Sequence, residues 1–333
     1  MRKLTAMHRR TAVAAIAIAL FASPLRAAPQ LVTFEVPGAD TTYVTGINNN
    51  GDISGFWVAS SAFHGFLRSP DGAITSFDVP YGPNSTIATG INSKGTIVGA
   101  YAGDTFGFLR SPEGAFRRFR IPHGKDITYP SVINDDGWVA GIYLPHRNGF
   151  DQPFVRSPDG QVTEFTIPGT LGADIYGINA SGAVTGDAGG LGFIRNLDGS
   201  IIRFGVQGAA LTYPKSINAS GVVVGVAQFA NASKGFIRAA NGIVSLIDVP
   251  SGTSKWGTGV YATGINASGR AIGSWESAIG GAKAFIRAAD GTFTSFSVGQ
   301  SGNMFPVGVN DDGVVAGSYE DAASHYVGFL YIP

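Results

Sequence analysis

One phrase is repeated seven times along this chain, and it constrains the fold more than any other feature. The phrase reads Gly-Ile-Asn-x-x-Gly-x-Ile-x-Gly, then Gly-Phe-Leu-Arg-Ser-Pro-Asp-Gly, then Phe-x-Val-Pro. Its marker asparagines are 44, 42, 45, 39, 48 and 44 residues apart, at Asn48, Asn92, Asn134, Asn179, Asn218, Asn266 and Asn310. A repeat near this length with short strands is typical of one blade of a β-propeller.

Each repeat predicts four short strands, which we name a to d. Apolar residues alternate along them, with β-branched and aromatic residues enriched. In the second repeat the predicted strands are 86–92, 96–102, 105–111 and 115–121. The a–b turn reads Asn-x-x-Gly, and the c–d turn ends in Asp-Gly, Glu-Gly or Asn-Gly, which are residues that tolerate the positive φ of a tight hairpin. Each repeat is therefore predicted to be one antiparallel blade.

The two ends of the chain predict how the ring closes. The first strand, 31–36, is a lone d strand, whereas the last repeat supplies only a, b and c, at 304–310, 314–319 and 325–332. Together they make a seventh blade, and this pairing removes an exposed sheet edge. We therefore expect an all-β fold, a seven-bladed β-propeller of four-stranded antiparallel blades, in a single domain that spans residues 28–333.

The first 27 residues are predicted to be a signal peptide that is removed. A basic start precedes an apolar run at 11–22, which is too short for a stable membrane anchor. The pair Arg9-Arg10 leaves Sec and twin-arginine export both open. No other apolar stretch is long enough to span a bilayer, so we expect a secreted or periplasmic protein with no membrane span after cleavage. The remaining chain has 18 basic and 23 acidic residues, which argues against a nucleic-acid partner.

The repeat resembles the HAF family of extracellular repeats. The resemblance rests on the strand-c phrases His64-Gly65-Phe66-Leu67-Arg68 and Ala284-Phe285-Ile286-Arg287, together with the Gly-Ile-Asn-x-x-Gly phrase. The histidine of the family's name is present only at His64. The resemblance implies an exported bacterial protein that is similar to a β-propeller, and it implies no catalytic residues.

The two ends of the blades differ in how much they vary. In an antiparallel blade the a–b and c–d turns lie at one end, and the b–c and d–a loops lie at the other. The first set is uniform in all repeats, whereas the second changes in length and content. We name these ends the constant face and the variable face. Functional residues commonly stand on loops that a rigid scaffold positions, so the variable face is the predicted working surface.

Two aromatic series stand at the variable-face ends of their strands. Strand a carries, five residues before the marker asparagine, Tyr43, Tyr129, Tyr213, Tyr261 and Phe305. Strand b carries, two residues after its glycine, Trp57, Tyr101, Tyr143, Trp275 and Tyr319. Such rings suit stacking on a sugar or packing against a peptide, but they also fill space between blades. The absence of the strand-b ring from blades 4 and 5, at Ala188 and Ala227, favours binding, and Trp256 in the link 251–259 is a further candidate.

Other patterns have simpler explanations. Six arginines end strand c, at Arg68, Arg110, Arg156, Arg195, Arg238 and Arg287. We expect each to hold its c–d turn through the acidic residue that follows in most repeats, rather than to form an anion site. Fragments that resemble calcium loops lack the alternating carboxylates of such loops and coincide with the a–b turns, so we expect no metal site. No cofactor motif is present.

Two functions remain open. We expect an exported propeller that binds or scaffolds, taking an extracellular polysaccharide or protein on its variable face. The alternative is a polysaccharide lyase or glycoside hydrolase at blade 3, where His146, Arg147 and Asp151 form the one local group with acid–base potential. His146 would then be the acid or base, and Arg147 would stabilise charge. No nucleophile elbow, zincin motif or phosphate loop supports this alternative.

Overall fold

The repeat folds into a closed ring of blades. The computed structural model describes residues 28–80, 82, 84–101, 106–121, 127–145, 149–249, 259–276, 281–299 and 302–333. These residues form 28 strands in seven antiparallel sheets of four strands each. The predicted seven-bladed β-propeller is therefore confirmed. Within the described ranges, no helix has the length and apolar character needed to cross a membrane.

The first three blades follow the chain in order. Blade 1 contains β2 (Thr41–Ile47), β3 (Ile53–Ala59), β4 (Ala62–Arg68) and β5 (Ile74–Phe77). Blade 2 contains β6 (Thr86–Ile91), β7 (Ile97–Tyr101), β8 (Gly107–Arg110) and β9 (Phe116–Phe119). Blade 3 contains β10 (Ile127–Ile133), β11 (Val139–Leu144), β12 (Gln152–Arg156) and β13 (Val162–Glu164). The predicted strands are slightly too long, because the marker asparagine and its neighbours belong to the turns.

The remaining blades repeat this order until the ring closes. Blade 4 contains β14 (Asp174–Ile178), β15 (Val184–Ala188), β16 (Leu191–Arg195) and β17 (Ile201–Phe204). Blade 5 contains β18 (Leu211–Ile217), β19 (Val223–Phe229), β20 (Ala232–Arg238) and β21 (Val244–Leu246). Blade 6 contains β22 (Val260–Ile265), β23 (Ala271–Glu276), β24 (Ala282–Arg287) and β25 (Phe293–Phe296). Blade 7 contains β26 (Met304–Val309), β27 (Val315–Glu320), β28 (Tyr326–Ile332) and β1 (Gln30–Phe34).

Strand β1 closes the ring, as the sequence predicts. It pairs antiparallel with β28, from Gln30 opposite Ile332 to Phe34 opposite Gly328. The ring of Phe34 covers Gly328, where an added Cβ would lie 2.5 Å from the nearest ring carbon. The first and last strands of the domain therefore belong to one sheet, and the last blade has the same number of strands as the others.

A glycine and a phenylalanine of the phrase form a packing pair inside each blade. The strand-b glycine, for example Gly55, lies against the ring of Phe66 from strand c, and an added Cβ would collide with this ring and with the Tyr43 carbonyl oxygen. The equivalent rings are almost completely buried, at Phe66, Phe108, Phe154, Phe193, Phe236, Phe285 and Phe329. The final glycine of the phrase is thus required by close packing rather than by a turn.

The marker asparagine joins each blade to the next. Its Oδ1 accepts a hydrogen bond from the backbone N–H four residues later in all seven repeats, as Asn218 does from Val222 (3.0 Å). Asn218 also accepts from the Ser220 N–H at 3.1 Å. Its Nδ2 donates to the carbonyl oxygen of the next marker asparagine, with N···O distances between 2.9 and 3.1 Å at six junctions. At the seventh junction, Asn49 and Asp311 exchange hydrogen bonds of 2.8 and 3.0 Å.

The strand-c arginines hold the turns differently from the prediction. The Arg68 guanidinium donates to the Ser69 carbonyl oxygen and lies 5.0 Å from the ring centroid of Phe34 in the preceding blade. Asp71 instead accepts from the Ser69 hydroxyl and the Ala73 N–H. Among the described residues the ion pair within 4.0 Å is His64–Asp78, so these arginines do not contact the acids of their turns. A hydrogen bond to the backbone and a cation–π contact take the place of the expected ion pair.

We expect the marker asparagines to contribute strongly to stability. In Asn218→Ala, the buried side chain loses its two accepted hydrogen bonds and its donated bond to Asn266. The free energy of unfolding should fall by about 2–4 kcal/mol. Thermal and denaturant unfolding would measure this. Ser220→Ala, an exposed change in the same turn, is the matched control and should leave stability almost unchanged.

Removal of β1 should open the ring. A chain that starts at residue 37 exposes the last blade, since it loses the β1–β28 pairing and the buried side chains of Val32, Phe34 and Val36. We expect its melting temperature to fall by roughly 10 °C or more, with aggregation. A chain that starts at residue 30 keeps the strand and serves as control. Equal melting temperatures of the two chains would contradict the closure role of β1.

Candidate functional site

One position of strand a faces the central channel of the ring. It lies three residues before the marker asparagine and holds Thr45, Thr89, Ser131, Tyr176, Lys215, Thr263 and Val307 in blades 1 to 7. Six of these residues line the channel, in blades 1, 2, 4, 5, 6 and 7. Thr89 and Thr263 donate to backbone carbonyls of the next blade, at 2.9 and 2.7 Å. Tyr176 and Lys215 therefore replace a small side chain that helps to join blades.

The channel opens on the variable face into a cavity of about 870 Å³. Its wall runs from Tyr176 and Lys215, which the channel and the cavity share, through blade 6 to Phe305 of blade 7. Blade 6 contributes Tyr261 and Glu276, whose side chains are joined by a hydrogen bond of 3.3 Å. The cavity is thus asymmetric, since blades 4 to 7 form it.

Asn303 is held rigidly at the rim of this cavity. Its Nδ2 donates to Glu320 at 2.9 Å, and its Oδ1 accepts from the Ala282 N–H at 3.0 Å. The wall therefore combines aromatic surface with fixed amide, carboxylate and ammonium groups. Such a mixture is typical of a ligand pocket, in which apolar area gives affinity and a few polar groups give orientation.

A run of aromatic rings leads from the cavity across the junction of blades 7 and 1. The ring centroid of Tyr326 lies 5.6 Å from that of Phe305 and 4.7 Å from that of Tyr43, and Tyr43 stacks on Phe56 at 4.8 Å. Phe305 is 39% exposed, and the other three rings are half-buried. These contacts hold the rings in one continuous surface beside the mouth of the channel.

Blade 4 has two carboxylates where the other blades have uncharged residues. Asp174 stands five residues before the marker asparagine, and its cross-strand partner on β15 is Asp187. The corresponding pairs elsewhere are Tyr43–Phe56, Ile87–Ala100, Tyr129–Ile142, Tyr213–Val226, Tyr261–Ser274 and Phe305–Ser318. Like charges directly opposite each other in an antiparallel pair are destabilising. Blade 4 therefore gives up an aromatic or apolar pair for a costly acidic one.

Burial and charge perturb the titration of this group. Burial, with a smaller effect of the Asp174 carboxylate, raises the pKa of Asp187 to about 6, and a hydrogen bond from Tyr176 and the charge of Lys215 oppose this rise. Burial also raises the pKa of the Tyr176 phenol and lowers that of the Lys215 ammonium. Lys215 Nζ lies 3.6 Å from the ring centroid of Tyr176. Asp187 thus changes its charge near neutral pH, beside residues that line the cavity.

The predicted blade 3 site is only partly visible. His146 and Arg147 lie outside the described residues, as does Trp256, so their roles stay predictions. Asp151 is described, and its carbonyl oxygen accepts from the Ala173 N–H at 3.0 Å. Burial and the Asp174 carboxylate raise the pKa of Asp151. The structure therefore brings Asp151 near the acidic pair of blade 4, which the sequence did not suggest.

The strand-b aromatics lie mainly between blades. Tyr101, Tyr143 and Trp275 are buried in the cores between adjacent sheets. Trp57 and Tyr319 are half-buried against two further cores. None of these five rings lines the cavity. Their binding role stays a prediction, and the burial of the first three leaves little ring face for a ligand.

The strand-a aromatics divide into three groups. Tyr261 and Phe305 line the cavity, Tyr43 belongs to the aromatic run beside it, and Tyr129 is 42% exposed on blade 3 away from the cavity wall. The sequence-based search missed Tyr176, Lys215, Asp174 and Asp187. Comparing the seven repeats position by position, rather than searching for one residue type, would have found them.

A metal centre has no support in the described part of the chain. No group of three or more histidine, cysteine or acidic residues that could hold a metal ion occurs there. The two acidic residues of blade 4, Asp174 and Asp187, interact with Tyr176 and Lys215 instead.

Comparison with known proteins shows the fold. No protein-family model matches the chain, and no curated protein matches it. A streptogramin B lyase structure is 17% identical, covers 91% of this chain and 97% of its own, and has a TM-score of 0.63. A catalytically inactive virginiamycin B lyase from Staphylococcus aureus with quinupristin is 15% identical, with coverages of 92% and 100% and a TM-score of 0.64.

A third similar structure belongs to a longer protein. Puromycin hydrolase is 11% identical, with a TM-score of 0.62, and the match covers 88% of this chain but 53% of that protein. At these identities the similarity extends to the propeller fold, and it does not transfer an activity.

The titration of Asp187 gives a testable expectation. Its folded-state pKa lies above the ordinary value, so its ionised form costs stability, and this cost appears as pH rises from about 4 to about 6. Asp187→Asn should therefore raise the melting temperature by a few degrees at about pH 8 and have little effect at about pH 4. Melting curves at the two pH values test this. Asp71→Asn, in an exposed turn where the pKa is lowered, should have the opposite sign at about pH 8.

Proposed function

We propose that this protein is an exported, carbohydrate-binding β-propeller that holds a polysaccharide chain on its variable face. One end of the polysaccharide occupies the cavity that blades 4 to 7 form, and further sugar rings stack along the aromatic run to blade 1. The predicted signal peptide supports export, and the resemblance of the repeat to HAF proteins supports an extracellular role.

The observation that carries this proposal is the continuity between the cavity and the aromatic run. Phe305 belongs to both, because it lines the cavity and contacts Tyr326. Rings are held at centroid distances of 4.7–5.6 Å from Phe305 to Tyr43, so little conformational entropy is lost when a ligand stacks on them. A compact ligand would need the cavity alone, whereas a chain of sugars uses both parts.

Polar groups in the cavity suit hydroxyl-rich ligands. Glu276 of blade 6 is an exposed acceptor, and Lys215 of the neighbouring blade 5 is a donor in the same wall. The 870 Å³ volume lies within the range of pockets that bury most of a small ligand. Together these features support a short oligosaccharide end in the cavity. A protein partner would use flatter and larger surface.

Phe305→Ala should weaken polysaccharide binding about tenfold or more, since it removes the ring that links the two parts. Isothermal titration calorimetry against a panel of neutral and uronate polysaccharides, with oligosaccharides of increasing length, measures the effect. Affinity should increase with oligosaccharide length until every ring of the aromatic run is occupied. Phe150→Ala is the matched control, because Phe150 is 45% exposed on blade 3 and does not line the cavity. Equal losses in both variants, or no binding by the wild type, would contradict the proposal.

A further inference from the structure

Blades 4 and 5 depart from the repeat at several neighbouring positions, and the other blades serve as internal controls. Tyr176 and Lys215 replace small residues at the channel position, and Asp174 and Asp187 replace an uncharged pair. Each change costs stability, because it buries charge or removes a small side chain that joins blades. Residues that differ from the repeat, lie close together and destabilise the fold are expected at functional sites.

Three of these side chains form one group at the cavity wall. Tyr176 and Lys215 line the cavity, and Lys215 Nζ lies 3.6 Å from the centroid of the Tyr176 ring. Asp187 stands behind them and interacts with the Tyr176 hydroxyl. Its Oδ1 is buried and has no hydrogen-bond partner within the part of the chain that the structure describes. The group thus contains a phenol and an ammonium toward the ligand and a carboxylate behind.

We propose that Tyr176, Asp187 and Lys215 form an acid–base site that cleaves a uronate-containing polysaccharide by elimination. This inference rests on the proposed function, since it requires a polysaccharide in the cavity. It places catalysis at blades 4 and 5 rather than at the blade 3 loop, and it assigns the ligand class as a chain of uronic acids.

The elimination consumes neither a cofactor nor a water molecule. Tyr176 Oη takes the proton from the carbon next to the uronate carboxylate, while its own proton passes to Asp187. The electron pair of that C–H bond forms the new carbon–carbon double bond, and the glycosidic C–O bond at the adjacent carbon breaks. Solvent at the open mouth protonates the leaving oxygen and accepts the proton from Asp187. The products are an unsaturated uronate and a free hydroxyl group.

Lys215 supplies the positive charge that this step needs. Abstraction of the proton develops negative charge on the uronate carboxylate, and an ammonium at the cavity wall stabilises it. A hydroxyl hydrogen directed at Asp187 leaves a lone pair of Tyr176 Oη free to face the substrate. Tyr176 and Lys215 touch the substrate and are therefore the catalytic residues, whereas Asp187 acts only through Tyr176, whose hydroxyl it orients and whose proton it accepts.

The charged neighbours of Asp187 set the expected pH dependence. They are Asp174 and Tyr176 on β14 and Lys215 and Tyr213 on β18, and Asp151 adds its charge beside Asp174. Turnover needs ionised Asp187, so it should rise as pH increases through about 6. Removing the neighbouring charge in Asp174→Asn lowers the pKa of Asp187. The acidic limb of the pH profile should then move to lower pH, an effect that a merely structural role of Asp187 would not produce.

The test uses the full exported chain with polygalacturonate, alginate and hyaluronate, and a neutral glucan as comparison. The ultraviolet absorbance of the unsaturated product follows turnover, and calorimetry follows binding separately. Tyr176→Phe should lower turnover about 100-fold or more while binding stays within a few-fold. Lys215→Met should also lower turnover, and so should Asp187→Asn at every pH, because an amide cannot accept the phenol proton. Tyr331→Phe removes a phenol hydroxyl from the last strand and should leave turnover unchanged.

The outcomes separate this inference from the proposed function. Uronate binding without unsaturated product overturns the inference and leaves the carbohydrate-binding proposal in place. Product formation that persists in Tyr176→Phe overturns the assigned site. Absence of binding to every polysaccharide overturns both. Binding and turnover confined to uronates, with loss of turnover in Tyr176→Phe, support both.

Discussion

The ring of marker asparagines is the interaction on which the rest of the structure depends. Each asparagine closes its own a–b turn through Oδ1, and six of the seven also hold the next blade through Nδ2, so one buried side chain acts within a blade and between blades. A valine or leucine could fill the space but could not satisfy three backbone groups. Because this ring lies at the constant face, the strand-a residues on the variable side of it are free to differ without breaking the joint.

The difference between the constant and the variable face explains where departures from the repeat are tolerated. Seven residues after the marker, a glycine such as Gly55 lies so close to the carbonyl oxygen of strand a that an added Cβ would collide with it, and this holds in every blade. Three residues before the marker, threonine helps to join blades but is not the only connection, and Tyr176 and Lys215 can replace it. The stability supplied at one end of the channel thus offsets the cost of an acidic, half-buried group at the other end.

The fold was predictable from sequence, and most of the candidate site was not. The local pattern of residues predicts the strands and turns, and the number of strands at the two ends of the chain predicts the closure of the ring. The site depends on distances between blades. Tyr43 and Tyr326 are far apart in sequence, and their ring centroids lie 4.7 Å apart because blades 1 and 7 are neighbours in the closed ring. Sequence predicts that Tyr143 is aromatic surface at a blade edge, but whether such a ring faces a neighbour or solvent is decided by the packing of the adjacent sheet.

The gap in the aromatic series at blades 4 and 5 acquires a different meaning in three dimensions. Ala188 and Ala227 are completely enclosed in the cores between blades, so the missing rings leave no open space there. What distinguishes these blades is charge, since Asp174 stands where most blades have a strand-a aromatic and Asp187 stands where the other blades have an uncharged residue. Aromatic rings of blades 6, 7 and 1 form the surface in and beside the cavity, whereas blades 4 and 5 bring a carboxylate of raised pKa, Asp187, and an ammonium of lowered pKa, Lys215. The seven blades therefore differ in chemistry as well as in geometry. The charged group and the aromatic rings meet at one cavity, which Tyr176 and Phe305 both line.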